Sequence, residues 1–254
     1  MTPTIASIYR HPVKGLSPEP LDEALLTAGA GLPNDRRFAL ARASTTFNSA
    51  QPEWQRKQAF LMLMLNNQLA ALETQFGDED DRLTIKNGGR KVASGVITTT
   101  AGRTNIEDFI GAFLGSEAGG KPQLIEAPQA FMFSDHRTPV LSIINLASVR
   151  DLEQVVGKPI NPLRFRANIY IEGLPAWAEF DLLERTLAVG ECHVEVTQRI
   201  PRCPATNVEP GTGTRDMSLS KTLKQAFGHV DMGIYGAVIG SGAIRTGDEC
   251  IRID

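Results

Sequence analysis

Apolar and polar positions in the N-terminal part of the chain fall into short runs of the strand type. Ile5 to Val13 is a β-rich run that ends at Pro12-Val13-Lys14-Gly15, and Arg36 to Ala41 follows the turn-forming Gly31-Leu32-Pro33-Asn34-Asp35. Leu69 to Phe76 and Leu83 to Lys86 flank Gly77 to Asp81, which predicts a hairpin with its acidic tip, Asp78 to Asp81, in solvent. The period then changes. Ile106, Phe109, Ile110, Phe113 and Leu114 recur at helical intervals behind Thr104 and Glu107, a capping-box spacing, and Gly115 can close the helix. The Gly/Pro-rich stretch Gly115 to Pro128 reads as a linker, dividing the chain into segments 1–115 and 116–254.

In the second segment Leu146 to Val156 predicts a helix stopped by Gly157, and Leu219 to Phe227 a short helix capped by Ser218. Arg164 to Ile171 alternates as a strand, with Phe165, Ala167, Ile169 and Ile171 on one face and Arg164, Arg166, Asn168 and Tyr170 on the other. Glu191 to Gln198 is a further strand, with Cys192, Val194 and Val196 on one side, that leads into a loop around Cys203; Gly-rich strands follow from Gly233 to Ile253. The expected fold is mainly β with peripheral α-helices (α+β) and barrel-like. Gly211-Thr212-Gly213 and Gly240-Ser241-Gly242 lack the third glycine and the βαβ frame of a dinucleotide site.

Composition narrows the function. The 254 residues are 42% hydrophobic and 22% charged, with a formal net charge of -3, which argues against a nucleic-acid surface. The N-terminus lacks a signal-peptide pattern and no apolar run approaches a membrane span, so a cytoplasmic protein with no membrane partner is expected. Cysteines at 192, 203 and 250 form neither a disulfide framework nor a zinc or iron–sulfur pattern.

The candidate chemistry centres on Cys203. Arg202 beside it and Arg199 upstream favour a thiolate, the form that acts as nucleophile or soft metal ligand; a partly buried structural thiol is the competing reading. Cys192 and Cys250 read as structural. Lys14 precedes Gly15 at a strand end, and Arg36 and Arg37 open a strand facing opposite ways, so that either a phosphate contact or a solvated pair fits them. Arg166 and Asn168 share a face that is either ligand-binding or simply exposed. Asp135-His136-Arg137 is weak acid/base evidence, and His11, His193 and His229 show no metal-ligand spacing.

Several of these segments together resemble the MOSC family, the relatives of the molybdenum-cofactor sulfurase C-terminal domain. The residues are Tyr9-Arg10-His11-Pro12-Val13-Lys14-Gly15, Gly31 to Leu40 with its Asp35-Arg36-Arg37-Phe38 core, Arg164-Phe165-Arg166-Ala167-Asn168-Ile169, Arg202 to Gly213, and Tyr235-Gly236-Ala237-Val238 through Glu249. The resemblance is to the branch containing the mitochondrial amidoxime reducing component and its bacterial counterparts. It implies a MOSC-type β-barrel packed with an N-terminal β-barrel segment, and a molybdenum–molybdopterin cofactor. Cys203 would be the catalytic molybdenum ligand; Lys14 and Arg36 would meet the cofactor phosphate, Arg166 and Asn168 the phosphate or pterin, and Ser142 a further cofactor position. The implied activity is reduction of N-hydroxylated or related N-oxide and S-oxide small-molecule substrates. A sulfur carrier working through a Cys203 persulfide and a non-catalytic molybdopterin carrier are the alternatives. Gly15 stands where some relatives carry a hydroxyl residue. No ferredoxin domain is expected after Asp254, so electrons are expected from a separate donor protein, or sulfur from a donor such as a cysteine desulfurase.

Overall fold

The computed structural model describes residues 2–254. Its centre is an eight-stranded, curled sheet. In spatial order the strands are Cys250–Arg252, Thr186–Val189, Cys192–Pro201, Asp231–Gly240, Leu141–Asn145, Ile169–Glu172, Thr4–Arg10 and Glu19–Leu21. The neighbours Leu141–Asn145 and Ile169–Glu172 run parallel. A parallel pair needs a crossover, and the helix Leu146–Val156 supplies it. Asn145 caps this helix by accepting from the Ala147 N–H (3.0 Å), and Gly157, at φ +77°, ends it.

The chain passes repeatedly between its two halves. Thr4–Arg10 pairs with Ile169–Glu172, Glu23–Leu26 with Gly242–Arg245, and Phe38–Ala41 with Gln123–Glu126. One core lies on the large sheet (Ile8, Ile143, Ile169, Val194, Ile234). A second joins the short Val13–Lys14 and Phe38–Ala41 strands to the meander Leu72–Gly77, Arg82–Asn87, Arg90–Val96 and to the helix Thr100–Leu114. Gly102 permits that last contact, because a Cβ there would lie 2.0 Å from the Val96 carbonyl oxygen. No helix among the described residues is long and apolar enough to cross a membrane.

The β-rich architecture and the helices Leu146–Val156 and Leu219–Phe227 agree with the sequence reading, although Ser218 stands at the head of the latter without making a side-chain capping hydrogen bond. Four local expectations do not. The first helix begins at Thr100 and is capped by Thr99, whose hydroxyl accepts from the Gly102 N–H; Thr104 lies inside it. The Gly115 to Pro128 stretch is not simply a linker, since it contains a paired strand. The expected Arg36 to Ala41 strand starts at Phe38. The hairpin tip is exposed at Asp78 to Asp80, as expected, and is also tied to the body of the protein: Asp78 accepts from Arg10 (2.6 Å) and Asn34 (2.7 Å), and Asp81 from Arg37 (2.7 Å). Finally, Arg164 to Ile171 is no continuous strand. Pro162–Phe165 forms a 3-10 turn with proline at its start, Arg166 is left-handed at φ +52°, and extended pairing begins at Ile169. The alternation therefore breaks: Phe165 and Ala167 pack with Tyr170 in a third core, while Ile169 and Ile171 face the core on the large sheet.

Candidate functional site

A cavity of about 300 Å³ opens over adjacent strands of the large sheet. Its floor is a cross-strand row. Gln198 pairs with Tyr235, Tyr235 with Ser142, and Asn168 lies beside Ser142, one residue before the Ile143–Ile169 pair. Lys14, Arg36, Ser142, Arg166, Asn168 and Cys203 all line this one cavity.

Ser142 and Asn168 are largely bonded to each other. The Ser142 N–H and hydroxyl both donate to Asn168 Oδ1 (3.0 and 2.8 Å), and the Asn168 N–H donates to Ser142 Oγ (3.0 Å). Asn168 Nδ2 donates to the Tyr9 carbonyl (3.2 Å). This pair clamps three strands and leaves little hydrogen-bonding capacity for a ligand.

The cations are different. Six of them line the cavity (Lys14, Arg36, Lys57, Arg164, Arg166, Arg202) with one lining carboxylate, Asp135, in a chain whose net charge is -3; Arg36 and Arg164 are paired with Asp35, Glu209 and Asp216 outside the lining, which leaves Arg166 and Arg202 as the arginines without an ion pair among the described residues. Lys14 Nζ donates to Asp135 (2.6 Å). Burial lowers the Lys14 pKa, and Asp135 only partly offsets it. Burial pushes Asp135 up, but Lys14 outweighs it and holds the carboxyl below the usual range. Arg36 bonds Asp35 through Nη1 and donates from Nη2 to the Arg166 carbonyl (2.9 Å). Arg166 donates to the Leu16 carbonyl (2.7 Å) and makes no ion pair among the described residues. Burial, then Arg36, lower the Arg166 pKa to about 10. Arg202 is likewise held by carbonyls, those of Phe165 (2.9 Å) and Met232 (2.8 Å). Half-buried guanidinium groups that make no ion pair among the described residues, as Arg166 and Arg202 are, favour an anion in the cavity.

Arg36 and Arg166 are both non-glycine residues at φ +52°, and they touch. Left-handed backbone costs such residues on the order of 1 kcal/mol or more each and collects at functional sites. Behind them lies His11, fully buried, with neither ring nitrogen hydrogen-bonded; Nδ1 is 3.5 Å from Asp35. Burial, then Arg166 and Arg36, push its pKa down to about 3. An unfolded histidine titrates near ~6.5, so between these values the unfolded chain binds the extra proton and stability falls as pH falls, by up to about 1.4 kcal/mol per pH unit. His11→Gln is expected to remove that slope from urea midpoints measured between about pH 6.5 and 4.5. Glu179, raised by burial, acts with the opposite sign just above the ordinary carboxylate range and cancels in the comparison. Equal slopes in both proteins would refute this assignment.

Cys203 is half-buried, with extended backbone, at the head of the Pro204–Asn207 turn. Cys192 and Cys250 are buried in the core. Arg199 does not approach the thiol as the sequence suggested; its guanidinium lies over the Phe180 ring at 4.2 Å. Asp135 serves Lys14 rather than His136, whose ring packs on Tyr235 (5.2 Å between centroids). The sequence reading missed Arg202, Tyr235 and Gln198 as cavity walls, and the packing of His11 with Asp35. Arg202 was considered only as a neighbour of the thiol, and nothing local marks the others. Among the described residues no group of three His, Cys, Asp or Glu is placed to hold a metal unaided. A larger cleft of about 910 Å³, lined by Arg37, Phe47, Arg103, Glu126 and Phe131, does not contain Cys203. Its arginines are paired with Asp81 and Glu126, so it lacks the unmatched charge that marks the smaller cavity.

Residues 2–117 match the MOSC N-terminal beta barrel domain and residues 128–251 the MOSC domain. The chain is 27% identical to molybdenum cofactor sulfurase from Caenorhabditis elegans over 88% of its own length and 31% of that protein. It is 30% identical to human mitochondrial amidoxime reducing component 2 over 44% of its length and 37% of that protein. It thus spans about a third of the curated relatives it matches. Among solved structures, the YUAD protein from Bacillus subtilis aligns with a TM-score of 0.47 at 15% identity, covering 98% of this chain and 94% of that one. With both domain types matched in order along nearly its whole length, the chain belongs to the MOSC family.

Proposed function

We propose that the cavity binds a molybdopterin-type molybdenum cofactor and that the loaded protein reduces N-hydroxylated or related N-oxide and S-oxide substrates. The observation that carries this reading is Arg166: a half-buried guanidinium that makes no ion pair among the described residues, beside Arg36 and Lys14, in the same cavity as the half-buried thiol of Cys203. An anionic phosphate fits the unmatched cations and a soft metal fits the thiolate. A metal that arrives with ligands of its own needs only one from the protein, in keeping with the lone cysteine.

Lys14, Arg36 and Arg166 would hold the phosphate, and Cys203 would bind molybdenum. When bound, the cofactor supplies two-electron oxygen-transfer chemistry at its metal. The chain's own contribution is positioning. Asp135 partly offsets the burial that lowers the Lys14 pKa, the Ser142–Asn168 clamp keeps the floor rigid, and Met62, Leu63, Val140 and Phe165 supply an apolar wall that limits water. Electrons would come from a separate protein. The sulfurase relative motivates a second use of the same thiol, as a persulfide carrier.

The deciding experiment is purification from a cofactor-producing host, with molybdenum measured per chain and an N-hydroxylated amidine assayed under a chemical reductant. Bound molybdenum with turnover is expected. Molybdenum without turnover would reduce the protein to a cofactor carrier. A metal-free protein that gains one sulfur on Cys203 from a cysteine desulfurase would replace the reductase reading with sulfur transfer.

A further inference from the structure

We propose that Arg164 is the positioning residue of the Cys203 loop, gripping it from the same turn that presents Arg166 to the cavity. The Arg164 side chain is wholly buried. Nη2 donates to Glu209 and to Asp216 (2.7 Å), and Nη1 to the Thr206 carbonyl (3.4 Å). Thr206 donates to the Cys203 carbonyl from its N–H (3.1 Å) and its hydroxyl (3.0 Å). On the other side of the cysteine, Arg202 Nη1 donates to the Phe165 carbonyl (2.9 Å). Both flanks of Cys203 are therefore tied to consecutive residues of the Pro162–Phe165 turn, and the next residue is Arg166.

The segment that carries Glu209 and Asp216 also closes on the cavity lip. Arg215 donates to the Met64 carbonyl (2.8 Å), and Asn67 Nδ2 to the Gly213 carbonyl (2.6 Å). Arg164 thus links the cysteine loop, this lip and the anion-binding turn. A planar fork can serve three acceptors in fixed directions; an ammonium is a point charge and cannot reproduce them. An exposed pair of this kind contributes little, but here the guanidinium is fully desolvated and its Nε has no partner, so its hold depends on the Nη contacts. The functional weight of this inference rests on Cys203 being the working thiol; the positioning itself does not.

The test reads the thiol in the cofactor-free full chain. Iodoacetamide alkylation of Cys203 is followed by peptide mass across pH, with buried Cys192 and Cys250 as internal controls of folding. In Arg164→Lys the high-pH plateau rate is expected to rise roughly fivefold, the effect of about one lost hydrogen bond. Asp216→Asn, which alters a partner that is one-third exposed, is expected to raise it about twofold. A plateau equal to wild type with Cys192 and Cys250 still protected, or a changed pH midpoint with the plateau unmoved, would overturn the proposal. If Arg164→Lys leaves the buried cysteines reactive, Asp216→Asn decides by the same criterion. Loss of molybdenum binding in the wild-type protein would sink the cofactor reading and leave this plateau difference standing.

Discussion

Replacing Cys203 with serine is expected to cut retained molybdenum at least tenfold while leaving the fold in place. The thiol is half-buried and makes no capping hydrogen bond at the head of its turn. Serine preserves the size and is a preferred residue at such a position, so stability is expected to change by no more than about 0.5 kcal/mol. A serine oxygen is a far poorer ligand than a thiolate for a soft metal. Cys192 and Cys250 give the opposite pattern. Both are core residues, and Cys192 Sγ lies 2.9 Å from the Gly242 carbonyl, so serine there is expected to lower the urea midpoint and spare the metal. Molybdenum retained in full by Cys203→Ser would remove this residue from the site.

Arg166→Met is expected to weaken retention of the phosphate end of the cofactor by about 30-fold or more, since breaking a buried charged contact costs about 2–5 kcal/mol of binding. The same substitution is expected to leave the cofactor-free protein within about 2 kcal/mol of wild type, and on the stabilising side. Burial lowers the Arg166 pKa first and Arg36 adds to it, so the folded protein holds this charge at a cost. The side chain's protein partner is the Leu16 carbonyl, and the Arg36 contact goes to the Arg166 backbone, which the variant keeps. Phosphate and molybdenum per chain, read beside urea midpoints, separate the two effects. A large loss of stability with unchanged binding would mean that Arg166 is structural.

The pattern of residues carried much of this site and concealed its shape. Lys14, Arg36, Arg166, Asn168, Ser142 and Cys203 were each weak alone, because a strand-end lysine or an arginine pair is usually just solvated. They gained meaning from order and spacing along the whole chain. What misled was local periodicity. Arg164 to Ile171 alternates as a strand does, yet Pro162 starts a tight turn, and the Arg36 contact to the Arg166 carbonyl accompanies a left-handed residue there. Nothing in the identity of an arginine marks a positive φ; glycine would have. The acidic hairpin tip is exposed at Asp78 to Asp80 as expected, but its pairing with Arg10, Asn34 and Arg37, which lie far away in sequence, came only with the fold.

By itself the sequence determined the β-rich class, two of the three helices and the Gly157 stop of one of them, the structural character of Cys192 and Cys250, and the set of residues worth watching. These follow from short-range rules: side-chain period, capping chemistry and turn residues act within a few positions. Tertiary structure alone decided which cations share a cavity with Cys203, that Asp135 belongs to Lys14, that His11 is buried with Asp35 behind Arg36 and Arg166, and that Arg164 grips the cysteine loop. Those relations depend on strand order, which sets Gln198, Tyr235, Ser142 and Asn168 in one row. They also depend on desolvation, which gives an unpaired guanidinium its energetic weight only once the folded chain has drawn it part-way out of water.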